Sequence, residues 1–114
     1  IAAIVAGVPA AADFELASLT SPRVPLGLIT VQHDRWLVPQ FHSDQVLKVC
    51  QACELLLDLP QGGHGALLSP AVPGMTGALG DVLNDPSGFD RPNATAQINQ
   101  QITAFMARHL LQPR

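Results

Sequence analysis

The chain has 114 residues, of which 47% are hydrophobic and 13% are charged, and its formal net charge is −3. This length suits one domain with a buried core, and the low charge content excludes a disordered chain. The six basic residues are scattered singly and form no patch for nucleic acid or an anionic membrane. Prolines interrupt the N-terminal apolar region before it reaches the roughly 20 residues of a membrane span. We therefore expect a globular domain with neither a nucleic-acid nor a membrane partner.

Two apolar runs near the N-terminus predict strands of a parallel sheet. Residues 1–8 (IAAIVAGV) form a continuous run of strand length that ends at Pro9, which is typical of a parallel strand buried on both faces. Residues 24–31 form a second such run, with Pro25 near its start, where a missing N–H is tolerated.

A helix and a third strand are predicted next. Ser43 is a suitable capping residue, and apolar residues at helical spacing after it predict a helix to about Ala52. Residues 54–59 (ELLLDL) form a short apolar run closed by Pro60 and turn-forming residues. Strand, helix and strand in this order predict a right-handed βαβ unit.

The C-terminal third contains one clear helix. Residues 65–93 are rich in proline and glycine, and they indicate only a short helix around residues 75–83. We interpret residues 67–90 as a surface excursion rather than a flap, because they contain nothing chemically distinctive. From Asn93, apolar residues recur at i, i+4, i+7 and i+8, which predicts an amphipathic helix with Asn93 as its N-cap and Pro113 beyond its end.

These elements predict an α/β fold with a partial parallel sheet of about three strands and flanking helices. The strand between Ile1 and Val8 would then be an apolar sheet edge, which natural proteins cover. We expect a missing N-terminal half or another chain to pair with this edge.

Cys50 and Cys53 form a C-x-x-C pair, a spacing that occurs in redox pairs and in half of a zinc site. No second cysteine pair or H-x-x-x-H supplies further ligands, so we expect no metal and no cofactor. The cysteines lie at helical spacing with Val46 and Val49, which predicts thiols packed as small apolar groups at a helix end. We therefore expect a reducing compartment, the cytoplasm.

Two polar residues follow the second and third predicted strands. Asp34 comes after the second strand, and His64 comes after the third within Gly62-Gly63-His64-Gly65. Adjacent parallel strands would bring both side chains to one rim of the sheet. A carboxylate bonded to one imidazole nitrogen lets the other nitrogen accept a proton from a nucleophile. We predict that Asp34 and His64 are a catalytic pair, with the flanking glycines allowing a tight turn around an uncrowded imidazole.

Each residue also has a simpler interpretation. An aspartate in such a loop is more often a turn former or helix cap, and a lone histidine more often packs or lies at the surface. Trp36, two residues after Asp34, either lines a substrate pocket or packs its loop onto the following helix. His33, beside Asp34, is a rival histidine, although this position suits loop structure better.

Three segments together resemble the C-terminal half of an α/β-hydrolase, most like the bacterial dienelactone hydrolase-like and esterase-like members. They are VPLGLITVQHDRWLVPQFHSDQV, ELLLDLPQGGHGALLSP and QITAFMARHLL. In that family the triad runs Ser or Cys, then Asp or Glu, then His along the chain. The resemblance covers nearly all of residues 1–114. It implies that they are the C-terminal portion of one such domain, with Asp34 as the triad acid and His64 as its histidine.

The chain departs from the family pattern at two places. The family usually has Gly-x-x-Asp at the acid, whereas Val31-Gln32-His33 precedes Asp34 here. No G-x-S-x-G or G-x-C-x-G frames a nucleophile on a strand-to-helix turn. Five serines lack that glycine framing: Ser18, Ser21, Ser43, Ser69 and Ser87. The resemblance thus implies that the nucleophile and the oxyanion hole lie upstream of Ile1.

The function implied is that of a serine-type hydrolase acting on carboxylic ester or related acyl bonds of a small molecule. This chain would supply Asp34 and His64 but no nucleophile, so we expect it to be inactive alone. The alternative is a non-catalytic α/β interaction module that pairs with a partner through its exposed sheet edge.

Overall fold

Three parallel strands in the order β1-β2-β3 form the sheet of the computed structural model, which describes residues 1–68 and 73–111. The strands are β1 (Ile4–Gly7), β2 (Leu26–Val31) and β3 (Glu54–Leu59). The α-helices in this part of the chain are α1 (Ser43–Val49), α2 (Gly77–Leu83) and α3 (Arg91–Leu110). Short 3-10 helices span Ala11–Asp13, Leu16–Leu19 and Pro39–Phe41. The predicted α/β fold with a three-stranded parallel sheet is confirmed.

Helices cover both faces of the sheet. Successive side chains of a strand point to opposite faces, so Leu28 and Ile29 of β2 face opposite ways. Leu28 is buried in one cluster with Val46 of α1. Ile29 is buried in another with Ala94 and Ile98 of α3. The sheet is therefore the middle of three layers, with α1 on one side and α3 on the other.

The burial of each strand depends on its place in the sheet. The central strand β2 is buried along nearly its whole length. The expectation that the first strand is buried on both faces is wrong, because β1 lies at an edge and pairs only with β2 among the described residues. Ile4 is 40% exposed. β1 is also shorter than the apolar run of residues 1–8, and β3 spans the predicted residues 54–59.

Both helix caps differ from the prediction. The N-cap of α3 is Asp90, whose Oδ1 accepts a hydrogen bond of 3.1 Å from the backbone N–H of Asn93. The helix starts earlier than predicted because Pro92 fits the first turn, where its missing N–H has no intrahelical partner to lose. The N-cap of α1 is His42, and Ser43 is already helical. α3 ends at Leu110, before Pro113 as predicted, and Pro113 itself lies outside the described residues.

The prediction that Cys50 and Cys53 are free thiols is wrong, because they form a disulfide. α1 ends at Val49 rather than near Ala52, and the turn that follows brings the two sulfur atoms together. Cys50 is nevertheless buried against Leu28, which agrees with the apolar packing predicted from its spacing. Disulfides persist mainly in oxidising compartments, so the cysteines no longer support a reducing one. The cytoplasm stays a prediction.

Within residues 1–68 and 73–111, no helix combines the length and apolar character needed to cross a membrane.

Candidate active site

Asp34 lies in the loop after β2, and its side chain is completely buried. Its Oδ1 accepts hydrogen bonds from the backbone N–H groups of Trp36 at 2.8 Å and Leu37 at 2.9 Å. Such bonds fix the loop in a turn, so Asp34 does act as a turn former. The turn uses only one oxygen, and Oδ2 remains available to a second partner.

That second partner is His64, which lies in the loop after β3. Its Nδ1 is 2.8 Å from Oδ2 of Asp34. A carboxylate only accepts hydrogen bonds, so Nδ1 carries the proton and Nε2 of the neutral ring is an acceptor. The His64 side chain is 28% exposed and lines an open cavity. The structure thus brings together the two residues that the sequence placed at the ends of neighbouring strands.

The glycines beside His64 allow close packing rather than a left-handed turn. Neither Gly63 nor Gly65 has a positive φ. A Cβ on Gly63 would lie 2.9 Å from Cδ of Pro86, and a Cβ on Gly65 would overlap the carbonyl oxygen of Leu83. The backbone does turn tightly here, since the N–H of Ala66 donates to the carbonyl of Gly63 at 3.1 Å, but neither of these glycines is left-handed. A following loop approaches the histidine loop so closely that no side chain fits there.

The cavity beside His64 has a volume of about 820 Å³. One wall is the loop after β2, and the other is the second half of α2 with the loop that follows it. The lining residues are Gln32, His33, Asp34, Arg35, Trp36, Val38, Gly63, His64, Gly80, Asp81, Val82, Asn84, Asp85 and Pro86. The interpretation of residues 67–90 as a mere surface excursion is therefore wrong for residues 80–86, which pack against the histidine loop.

Trp36 and His33 both lie at the cavity. Trp36 is 53% exposed there, while its backbone N–H donates a hydrogen bond to Asp34. His33 is exposed, and its backbone N–H donates to the carbonyl of Gly62 at 2.9 Å. Of the two histidines at the cavity, His33 and His64, only His64 is hydrogen-bonded to Asp34.

Among the described residues that line this cavity, none carries a hydroxyl or thiol group, so none of them is a serine-type or cysteine-type nucleophile. Within the described ranges there is also no group of three or more His, Cys, Asp or Glu side chains placed to hold a metal ion. The described lining residues offer a substrate an imidazole with its carboxyl partner, the amides of Gln32 and Asn84, the charged side chains of Arg35 and Asp81, and the apolar surfaces of Trp36 and Val82.

Comparisons of the chain with family models, with curated proteins and with solved structures found no match.

Proposed function

We propose that Asp34 and His64 are the acid and the histidine of an α/β-hydrolase triad that cleaves carboxylic esters or related acyl bonds. The hydrogen bond of 2.8 Å between Nδ1 of His64 and Oδ2 of a buried Asp34 carries this proposal. A buried carboxyl fixed by two backbone N–H groups holds the imidazole in one orientation and one tautomer.

His64 acts twice in this mechanism. Its Nε2 first takes the proton of the nucleophile as that atom attacks the acyl carbon, and it then gives the proton to the leaving alcohol oxygen. Asp34 stabilises the imidazolium that forms between these steps. Water hydrolyses the acyl intermediate in a second cycle with the same two residues, which releases the acid and restores the nucleophile.

The nucleophile belongs to a segment outside this chain in our proposal. Two points support this: none of the described residues that line the cavity offers a hydroxyl or thiol, and in the family that the chain resembles Ser or Cys precedes the acid. β1 has a free edge among the described residues. A further parallel strand on that edge would end at the same rim of the sheet as β2 and β3.

The test compares this chain with the protein extended by the residues encoded upstream of Ile1. The 114-residue chain should hydrolyse an activated aryl ester no faster than free imidazole does. The extended protein should hydrolyse the ester rapidly, should carry a glycine-framed Ser or Cys, and should lose its activity in His64→Ala, because the base is gone.

Two results would contradict the proposal. If the extended protein still hydrolysed the ester after the substitution His64→Ala, His64 would have no part in the mechanism. Hydrolysis by the 114-residue chain that disappears in His64→Ala would place the nucleophile within this chain.

The edge of β1 favours a second candidate function, a module that binds a partner strand. β1 pairs on one side only, and Ile4 is 40% exposed. An exposed edge can add a strand from another protein through backbone hydrogen bonds. An upstream sequence without a glycine-framed Ser or Cys, together with slowed amide exchange in β1 on adding a partner, would favour this function over hydrolysis.

A further inference from the structure

Arg91, the first residue of α3, is 3% exposed. Its Nε lies 2.9 Å from both carboxyl oxygens of Asp85, and its Nη2 lies 2.7 Å from Oδ1. Nη2 also donates to the backbone carbonyl of Leu83. One buried guanidinium thus holds both a side chain and the backbone of the segment between α2 and α3.

This segment packs directly on the histidine loop. A Cβ on Gly65 would overlap the carbonyl oxygen of Leu83 and would lie 3.0 Å from Nη2 of Arg91. On the other side of His64, Pro86 packs against Gly63. Both neighbours of His64 in the chain therefore contact either Arg91 itself or the segment that Arg91 holds.

The hydrogen bonds from Arg91 to Asp85 and Leu83 are of a kind that fixes positions. Burying a guanidinium is costly, and an apolar pair could fill the same space without that cost. A forked arginine–carboxylate pair adds directional bonds that fix the relative positions of its partners. Arg91 has such bonds to Asp85 and a further bond to Leu83, so it restrains where the segment from Leu83 to Pro86 can lie.

We propose that Arg91 is a positioning residue for His64. Its ion pair with Asp85 holds residues 83–86 against Gly63 and Gly65, and this keeps the imidazole on Oδ2 of Asp34. The inference rests on the proposed function, because it assigns to Arg91 the placement of the triad histidine.

A second arginine on the same helix provides a matched control. Arg108 of α3 pairs with Glu54, the first residue of β3, and both side chains are about half exposed. The Arg108–Glu54 pair lies at the start of β3, whereas His64 follows the end of that strand. Removing it deletes an arginine–carboxylate pair from α3 without touching the histidine loop.

The experiment records imidazole and amide NMR spectra of the ¹⁵N-labelled chain as wild type, Arg91→Lys, Asp85→Asn and Arg108→Ala. Two protons are followed: the one on Nδ1 of His64, and the backbone N–H of Ala66, which donates to the carbonyl of Gly63 at 3.1 Å. Lysine keeps the charge of Arg91 but cannot fork to Asp85 and Leu83 together.

Arg91→Lys and Asp85→Asn each remove a charge-assisted hydrogen bond, which lowers the free energy needed to open the loop locally. Both protons should therefore exchange with water about tenfold faster in these variants than in the wild type. Arg108→Ala should exchange like the wild type. In the extended, active protein, Arg91→Lys should lower kcat more than it raises KM, because it displaces the base.

Wild-type exchange of both protons in a folded Arg91→Lys or Asp85→Asn variant would overturn the proposal. So would loss of the whole fold in both variants, because the pair would then serve general stability. The Ala66 proton distinguishes failure of the Arg91 proposal from failure of the proposed function. If the wild type lacks an Nδ1 proton bonded to Asp34, the function fails, while Ala66 still reports whether Arg91 holds the loop.

Discussion

Asp34 and Asp58 lie near the carboxyl ends of the neighbouring strands β2 and β3, and each carboxyl group accepts two hydrogen bonds through a single oxygen. Oδ1 of Asp58 accepts from Thr30 and from the amide of Gln32, both at 2.6 Å. Oδ1 of Asp34 accepts from two backbone N–H groups, and its Oδ2 meets His64. The two residues thus bond similarly through one oxygen, and Asp34 in addition meets a histidine through its other oxygen.

The difference follows from their places along the strands. Asp58 lies inside β3, directly across from Thr30 of β2, so its bonds join two strands. Asp34 lies beyond the end of β2, where the loop after β3 can reach it. Cross-strand contacts stabilise a sheet, whereas loops at the carboxyl ends of parallel strands present groups to a ligand. Position relative to the strand end thus separates the carboxyl group that joins two strands from the candidate catalytic one.

The largest effect is expected for Asp34→Asn. The asparagine oxygen can still accept the N–H groups of Trp36 and Leu37, but its NH₂ group then faces Nδ1 of His64 and favours the other tautomer. The kcat of the extended protein should fall about 10⁴-fold, the loss that a triad shows when its histidine is in the wrong tautomer. Steady-state kinetics measure this, and an unchanged kcat would show that His64 works without Asp34.

Removing the disulfide should have an intermediate effect, confined to stability. Replacing Cys50 and Cys53 by serine opens a loop of about four residues, which should lower the free energy of unfolding by about 2 kcal/mol on the chain-entropy account. The disulfide precedes β3, whereas His64 follows it, so the His64 imidazole signals should not move. Urea denaturation measures the first quantity. A shift of the imidazole signals would show that the two ends of β3 are coupled.

The smallest effect is expected for Asp58→Asn, the counterpart of Asp34→Asn. The asparagine oxygen can still accept from Thr30 and Gln32, but these bonds lose their charged acceptor, so the free energy of unfolding should fall by about 1 kcal/mol. The kcat of the extended protein should stay at its wild-type value. A loss of kcat comparable to that of Asp34→Asn would remove the distinction between the two carboxyl groups.

Much of the arrangement at the sheet rim could be predicted from local sequence. Short apolar runs identified β2 and β3, and chain order then placed Asp34 and His64 on adjacent strand ends. Chain order also placed β1 at a sheet edge, but the exposure of its side chains could not be read from its sequence. Its apolar run resembles that of a central strand, and burial depends on which neighbours the strand finds.

The far wall of the cavity could not be predicted, because it depends on contacts between distant parts of the chain. Residues 80–86 show no periodic pattern that would bring them to His64, and they reach it through contacts at Gly63 and Gly65. One local signal was present at Arg91. A basic side chain in the first turn of a helix opposes the helix dipole, so such a residue needs a specific partner. Asp85 is that partner.

The most direct test of the central claim is the protonation state of the His64 ring in the wild-type chain, read from ¹H–¹⁵N correlations of its two nitrogens. We expect the proton of the neutral ring on Nδ1, in slow exchange with water and hydrogen-bonded to Asp34, with Nε2 unprotonated. A neutral ring protonated on Nε2, or an Nδ1 proton unaffected by Asp34→Asn, would contradict the claim that these two residues act as one catalytic pair.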